Sequence, residues 1–373
     1  MFIGLGLSLT GLRGGAAFTP ASLFASGDAG AWYDGSDLAT LFQDTAGTTP
    51  VTTANQSVGL ALDKSKGLAL GPRLETNGTF DTASDWTLGA GWTISGGVLA
   101  YDGTDAPNIV HQPSTALISP AFYRVDISVS LSQGALLVRP QYNTSAGQVQ
   151  IEASGDYSII LQGKAAGGLG FLAGNFGGRF VGTIDNISAR ILPGSHSTQG
   201  TGSFQGKYQT GPQRLAFDGI DDRLLSTLNP AASGSIAVRM RSNTASRIAV
   251  GSQAASDGRC YIGLASDGAL AGGIGTQATS VIKGSTDIRT AWTTGILTWN
   301  GTTVTLYQNG ASVYSAAQSG AVNTTIPVMV GGLNSNGTGA AFHAGDIARA
   351  IIINRVLTAG EIASLTALWS TIE

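Results

Sequence analysis

Short runs that alternate apolar and polar positions dominate this chain. Residues 123–131 read YRVDISVSL and residues 155–161 read GDYSIIL, a period of two that sets one face against a core and the other in water. Residues 235–240, 247–250 and 261–264 are further strand candidates, each bounded by Gly, Asn or Asp. Asn300-Gly301 and Asn309-Gly310 fall between apolar runs and predict tight hairpins, whose two turn residues need positive φ. Ile347, Ala348, Ile351, Ile352 and Ile353 form a β-branched run that suits a buried strand, ended by Asn354-Arg355. Thr358 and Glu361 then make a capping box, and Ile362, Leu365, Leu368, Trp369 and Ile372 recur at helical spacing, so the pattern predicts a short amphipathic C-terminal helix. Near the start, Thr19-Pro20 followed by Ala21-Ser22-Leu23-Phe24 and stopped at Gly27 predicts a short helix.

Composition agrees with this pattern. The 373 residues suffice for roughly two to three domains at about 150 residues each. With 54 glycines and only 12% charged residues, many short strands joined by tight turns are favoured over long helices. A net charge of −3 with no Lys/Arg cluster gives no footprint for nucleic acid or an anionic membrane, and neither partner is expected. No run approaches the roughly 20 apolar residues of a membrane span, so no membrane insertion is expected. The N-terminal MFIGLGLSLTGLRGG lacks a basic leader region and is broken by Gly4, Gly6 and Gly11, which argues against a cleaved signal peptide. Ile3, Leu5, Leu7 and Leu9 alternate with glycine and serine there, and this is read as an anchoring arm that works by strand addition. The single Cys260 leaves no intrachain disulfide and no Cys-based zinc site, and His111, His196 and His343 lack ligand spacing.

Several phrases carry resemblances. FDGIDD at 217–222, WNGTTVTLYQNGASVYS, and GDIARAIIINRVLTAGEI at 345–362 resemble strands of one laminin-G/concanavalin-like lectin sandwich. The segment LETNGTFDTASDWTLGAGWTISGGVLAYDG and the later FVGTIDNISARILPG resemble the opening and closing of a carbohydrate-binding-module jelly roll of the galactose-binding-like type. Residues 31–67, with Trp-Tyr-Asp, Leu-Phe-Gln-Asp, Val-Gly-Leu and Asp-Lys-Ser in order, resemble a leader of tailed-phage and prophage structural proteins. In those proteins the Asp-Lys-Ser phrase runs directly into a His-x-Thr-Gln phrase, so residues 63–65 and 196–199 are the two sides of an insertion point. The resemblance therefore implies an all-β chain of two antiparallel β-sandwich domains, one of them discontinuous. Residues 1–20 would be the arm, 21–70 and 194–373 one lectin-like sandwich, and 72–193 the inserted jelly roll. Domain insertion at a surface loop is tolerated when the inserted unit's termini lie close together.

In such sandwiches aromatic rings lie against the C–H faces of sugars while polar side chains bond the hydroxyls. Tyr142 with Arg139, Gln141, Asn143 and Gln148 is the leading set, read as part of an alternating strand. Trp86 and Trp92 are candidates for a platform or for core packing, Trp299 for core. Asn334, Asn336 and His343 occupy a glycine-rich stretch that would frame a ligand edge or serve as a loop. By position in the resembled motifs, Asp81 and Asp185, and Asp218 with Asp221 or Asp222, are the carboxylates to watch for structural calcium or for turn capping. No phrase resembles a hydrolase, no Gly-x-Ser-x-Gly elbow surrounds a serine, and no phosphate-binding loop is present, so an enzyme is not expected. The resemblance implies a non-enzymatic accessory protein on the surface of a virion, in head or tail, that binds host surface polysaccharide. It would be held to other virion proteins by its arm and act as a homo-oligomer, trimer or pentamer. The alternatives are a purely architectural virion protein and a secreted bacterial adhesin.

Overall fold

The computed structural model describes residues 17–103, 109–164, 168–174, 179–254, 258–276 and 281–372. Positions 1–16 of the expected arm lie outside the described residues. The described chain is mostly antiparallel strand, and among those residues the one α-helix is Ala359–Ser370. No described helix is long and apolar enough to cross a membrane.

The larger sheet runs in the order Lys207–Gln209, Arg214–Asp218, Ala344–Ile353, Gly234–Ser242, Thr293–Trp299, Thr303–Gln308 and Ala311–Ala317, and Gly30–Asp34 also pairs with Ala344–Ile353. The FDG and GDI phrases meet directly, with Phe217 opposite Gly345 and Leu215 opposite Ile347. A six-stranded sheet, from Val281–Asp287 through Ala269–Gly275, Arg259–Leu264 and Ile248–Gln253 to Gly332–Ser335 and Thr338–Ala340, packs across from it. Ile236, Val238, Leu297 and Ile352 from the first sheet share one core with Val250, Ile262, Leu270 and Ile274 from the second. The outer face of the larger sheet is covered as well: Ile351 and Ile353 pack with Ile362, Leu365 and Trp369 of the helix. A strand buried on both faces needs apolar residues at every position, which is why Ile351-Ile352-Ile353 run on without alternation.

The capping box is present in full. Glu361 N–H donates to Thr358 Oγ1 at 3.2 Å, and Thr358 N–H donates to Glu361 Oε2 at 2.8 Å. Arg355 bridges that glutamate and Asp28, at 2.6 and 2.9 Å, and so ties the helix start to the segment before the first strand. The segment Pro20–Phe24 is a 3-10 helix in which Thr19 makes no side-chain cap. The two Asn-Gly turns differ. Asn309 and Gly310 both have positive φ, 49° and 85°, as a two-residue hairpin requires. At the other turn Gly301 has φ 87° and Asn300 closes the loop through its carboxamide oxygen, which accepts the N–H groups of Thr302 and Thr303.

Between Gly71 and Leu192 the chain forms its own pair of sheets. One runs Gly155–Gln162, Phe122–Gln133, Val181–Leu192, Val98–Tyr101, Trp92–Ser95, and the other Ile109–Ala116, Gly168–Ala173, Leu136–Arg139, Val149–Ile151. Val125, Ile127 and Ile184 from the first meet Val110, Val138 and Phe171 from the second in a separate core. Its two ends lie side by side, since Gly71 N–H donates to Ile191 O at 3.0 Å and Leu74 N–H to Ala189 O at 2.9 Å.

Where the chain leaves for and returns from this unit, one carboxylate gathers both sides. Asp63 is fully buried. Its Oδ1 accepts the N–H of Trp32 at 2.7 Å and of Ser65 at 2.8 Å, and its Oδ2 accepts the N–H of Ser195 at 2.7 Å and the hydroxyl of Ser65 at 2.8 Å. The Asp63 N–H in turn donates to His196 Nδ1 at 2.9 Å. The Tyr33 hydroxyl bonds Ser195 O and, at 2.7 Å, Ser226 Oγ. Gly194 returns the chain with φ 129°, and a Cβ there would stand 2.9 Å from Asp63 Oδ2. The short strands Leu60–Ala61 and Ser197–Thr198 then pair across the gap, Ser197 opposite Ala61. Beside them Leu60, Leu62, Phe122, Ile160 and Leu192 form a small apolar cluster shared by the two sandwiches.

Asp63→Ala strands three backbone N–H groups in a dry site, and at about 1–3 kcal/mol each the loss is several kcal/mol in denaturant unfolding, with Asp63→Asn intermediate because it keeps one acceptor oxygen. Burial also holds the His196 and His343 rings neutral, each brought down to about 4. Their stability contribution is present in full above the unfolded value near 6.5 and is lost as pH falls from there to about 4, by about 2–3 kcal/mol per histidine. Protonation of His196 would also place a proton where Nδ1 receives the Asp63 N–H. The Asp63 carboxyl, raised by burial against its hydrogen bonds, acts in the opposite sense and offsets part of the loss. Thermal melts from pH 7 to pH 4.5 should therefore fall steeply, and His196→Asn should flatten that fall.

Candidate functional site

The second sheet of the inserted unit turns one face to the core and the other outward. Along Gly168–Ala173, Leu169 and Phe171 point inward, and Gly168 and Gly170 take the alternate outward positions. Gly170 lies opposite His111 on one neighbouring strand and opposite Arg139 on the other, so the three form a row across the outward face. Tyr142 lies over that row. Its ring stacks on the His111 imidazole with centroids 3.9 Å apart and planes 14° from parallel. A side chain at position 170 would bring a Cβ to 2.6 Å from Tyr142 Cβ, so glycine makes the room this seat needs.

Tyr142 does not sit in a strand. The strand ends at Arg139, Pro140 cannot extend the ladder, and Gln141 to Gln148 form a turn-rich loop folded back over the sheet edge. Tyr142 N–H donates to Gly168 O at 3.1 Å, which pins the loop. Arg139 holds both ends of it, donating from Nε to Gln148 Oε1 at 3.1 Å and from Nη1 to Tyr142 O at 3.3 Å. Gln141 is half-buried in the same loop and Asn143 is exposed at its tip. Partial burial lowers the His111 pKa, so the ring under Tyr142 is neutral at pH 7. The result is a half-exposed aromatic pair bordered by a guanidinium and carboxamides. Such a surface offers a flat apolar face with hydrogen-bonding groups at its rim.

The structure brings Tyr142, Arg139, Gln141, Asn143 and Gln148 together, and adds His111 and Gly170. The Gly-Leu-Gly-Phe alternation at 168–171 is the trace Gly170 leaves in the sequence. His111 is supplied by a strand pairing far apart in the chain.

Trp86 and Trp92 are a correction. Both are buried, Trp86 between Phe80 and Phe171 and Trp92 against Tyr101 and Phe180, so neither presents a ring to a ligand. Trp86 Nε1 is satisfied by Asn77 O at 3.2 Å. Trp299 is buried too, its Nε1 donating to Ala231 O at 3.0 Å. Asn334, Asn336 and His343 do not frame an open edge. Asn334 is buried in a strand, with its amide donating to Pro327 O and its oxygen accepting Gly337 N–H, and His343 is fully buried. Asn336 has φ 50° at the tip of the hairpin between Gly332–Ser335 and Thr338–Ala340.

Asp218, Asp221 and Asp222 gather with carboxylate oxygens within 4.8 Å of one another, and among the described residues this is the one such group of three. Burial first, and the two neighbouring charges next, raise the Asp222 pKa. Oxygen donors of this kind suit calcium in type, yet Asp222 Oδ2 already accepts Asp218 N–H at 3.0 Å and Asp218 Oδ1 accepts Ile220 N–H at 2.8 Å. Closing the turn accounts for both. Asp81 and Asp185 stand outside this group: Asp81 accepts from the Thr79 hydroxyl at 2.7 Å and Asp185 from Asn186 N–H at 2.7 Å. The motifs that carry them do meet, with Ile187 N–H donating to Gly78 O at 2.9 Å.

No curated protein matches the chain in sequence. Among solved structures it is similar to the CBM40 module of Ruminococcus gnavus IT-sialidase bound to α2,3-sialyllactose, with 20% identity, a TM-score of 0.32, and 37% of this chain and 84% of that one covered. It is similar to Trypanosoma rangeli sialidase in complex with the inhibitor DANA at 14% identity and a TM-score of 0.33, over 48% of this chain and 30% of that one. A leech intramolecular trans-sialidase is similar at 16% identity and a TM-score of 0.32, over 37% and 24%. Residues 220–363, the larger part of the outer sandwich, match the model of the Concanavalin A-like lectin/glucanases superfamily.

Proposed function

We propose that this protein is a non-enzymatic accessory of a tailed-phage or phage-derived particle, and that it binds host surface polysaccharide through the Tyr142 face of its inserted unit. The observation that carries the reading is the aromatic pair Tyr142–His111, seated on Gly170 and bordered by Arg139 and Gln148, on the outward side of a sheet whose other side is core. A lectin-like frame at 220–363 supports a binding scaffold over a catalytic one. The leader phrases of residues 31–67 support the particle setting. On this reading residues 21–70 and 194–373 are the frame, residues 72–193 the displayed module, and residues 1–20 the attachment end.

A shallow face of this kind binds each sugar weakly. Several copies on one particle, as a trimer or pentamer, raise the effective concentration of the second and third contacts, and avidity rises without new chemistry.

The test is binding of the native oligomer to a glycan array and to host-type cell-surface polysaccharide. Tyr142→Ala should weaken binding about tenfold or more, a loss of about 1–2 kcal/mol per site, with the melting temperature little changed. Gly170→Ala, which displaces Tyr142 without removing it, should weaken binding in the same direction. Binding unaffected by both substitutions, or absent in the wild type, would leave the architectural role in its place.

A further inference from the structure

The two sandwiches enclose a cleft of about 390 Å³. One wall is the 44–49 loop of the frame and the other is formed by residues 147–149 and 160–164 of the inserted unit. The walls are joined at their base, since Ile160 N–H donates to Ala46 O at 2.7 Å and Gly47 packs on the Ile160 side chain. Phe122, Val149 and Ile160 supply apolar surface, while Thr45, Gln148, Gln162 and Lys164 supply polar groups.

Asp44 and Lys164 both line this cleft, and they are not paired with each other. Asp44 is engaged inside its own loop, accepting the N–H groups of Ala46, Thr48 and Thr49 at 2.8, 3.2 and 2.7 Å and the Thr48 hydroxyl at 3.1 Å. Lys164 forms no ion pair with any described residue. Its backbone is fixed on both sides, with its N–H donating to Leu117 O at 3.0 Å and its carbonyl accepting Ser119 N–H at 2.9 Å. The ammonium is therefore carried on a held segment into a polar cleft whose one carboxylate, Asp44, is bonded within its own loop and not to Lys164. Gln148 links the cleft to the outward face, because the oxygen of its amide accepts from Arg139 while the residue lines the cleft.

We propose that this cleft is a second carbohydrate subsite, that it takes an anionic substituent of an oligosaccharide at Lys164, and that the ligand is therefore an acidic polysaccharide chain. This rests on the reading of the protein as a glycan binder but not on Tyr142. Where both sites are used, a chain that leaves the Tyr142 face past Gln148 meets Lys164 next. A hexuronate carboxylate and a sulfate ester share the required chemistry.

The experiment uses the full chain and measures affinity for three probes: a short oligogalacturonate, its carboxyl-reduced neutral counterpart, and a sulfated maltooligosaccharide. Wild type should prefer one or both acidic probes over the neutral one, with an affinity that falls as salt rises. Lys164→Gln should cost about tenfold toward the acidic probe, the scale of one charge-assisted hydrogen bond, and Lys164→Arg should restore it. Which acidic probe responds identifies the carboxylate or the sulfate ester as the group read. Equal binding of neutral and acidic probes, or a Lys164→Gln effect of the same size on all three, would overturn the proposal. A Lys164 effect that persists while Tyr142→Ala changes nothing would retain the cleft and remove the Tyr142 face, and the reverse result would do the opposite.

Discussion

The arrangement of this molecule depends on one buried carboxylate. Asp63 receives hydrogen bonds from Trp32, Ser65 and Ser195, so a single side chain closes the first strand of the frame, the point where the chain departs and the point where it returns. A buried charge is costly unless it is fully bonded, and here the bonding groups are backbone N–H donors that would otherwise be orphaned in the interior. Carboxylate and donors satisfy one another. The inserted sandwich, with a core of its own, is attached through this closure and the small Leu60, Leu62, Ile160 and Leu192 cluster beside it.

Much of the frame was legible in the sequence, for local reasons. The Ile351–Ile353 run, the Thr358/Glu361 box and the Asn309-Gly310 turn each encode a conformation within a few residues. The candidate site was less legible because it depends on pairings distant in sequence. His111 reaches Tyr142 only because Ile109–Ala116 and Leu136–Arg139 flank the same central strand. The alternating strand expected around Tyr142 stops at Arg139, because Pro140 ends it and lets the loop fold back. Trp86 and Trp92 carry rings large enough for either role, and their burial is decided by Phe80, Phe171, Tyr101 and Phe180, which periodicity alone does not place around them.

The division of labour follows from where rigidity lies. The aromatic pair is held from below by a sheet and from the side by Arg139, so its geometry is set by the fold itself. The loop that carries Tyr142 is short, and its ends are fixed to strands that also build the core.

The pairing of Gly30–Asp34 with Ala344–Ile353 has a mechanical meaning. Gly30 faces Ile353 and Asp34 faces Arg349 in an unbroken antiparallel register, and Arg355 and Asp28 add a brace at the entrance. Tension entering the chain ahead of Gly30 and leaving through the far end of the sandwich runs parallel to this ladder. Load taken up at the Asp34–Arg349 end would act on the rungs together. Load taken up on the Asn354 side instead would open the ladder from Gly30 rung by rung, with the Arg355–Asp28 pair the first contact to part.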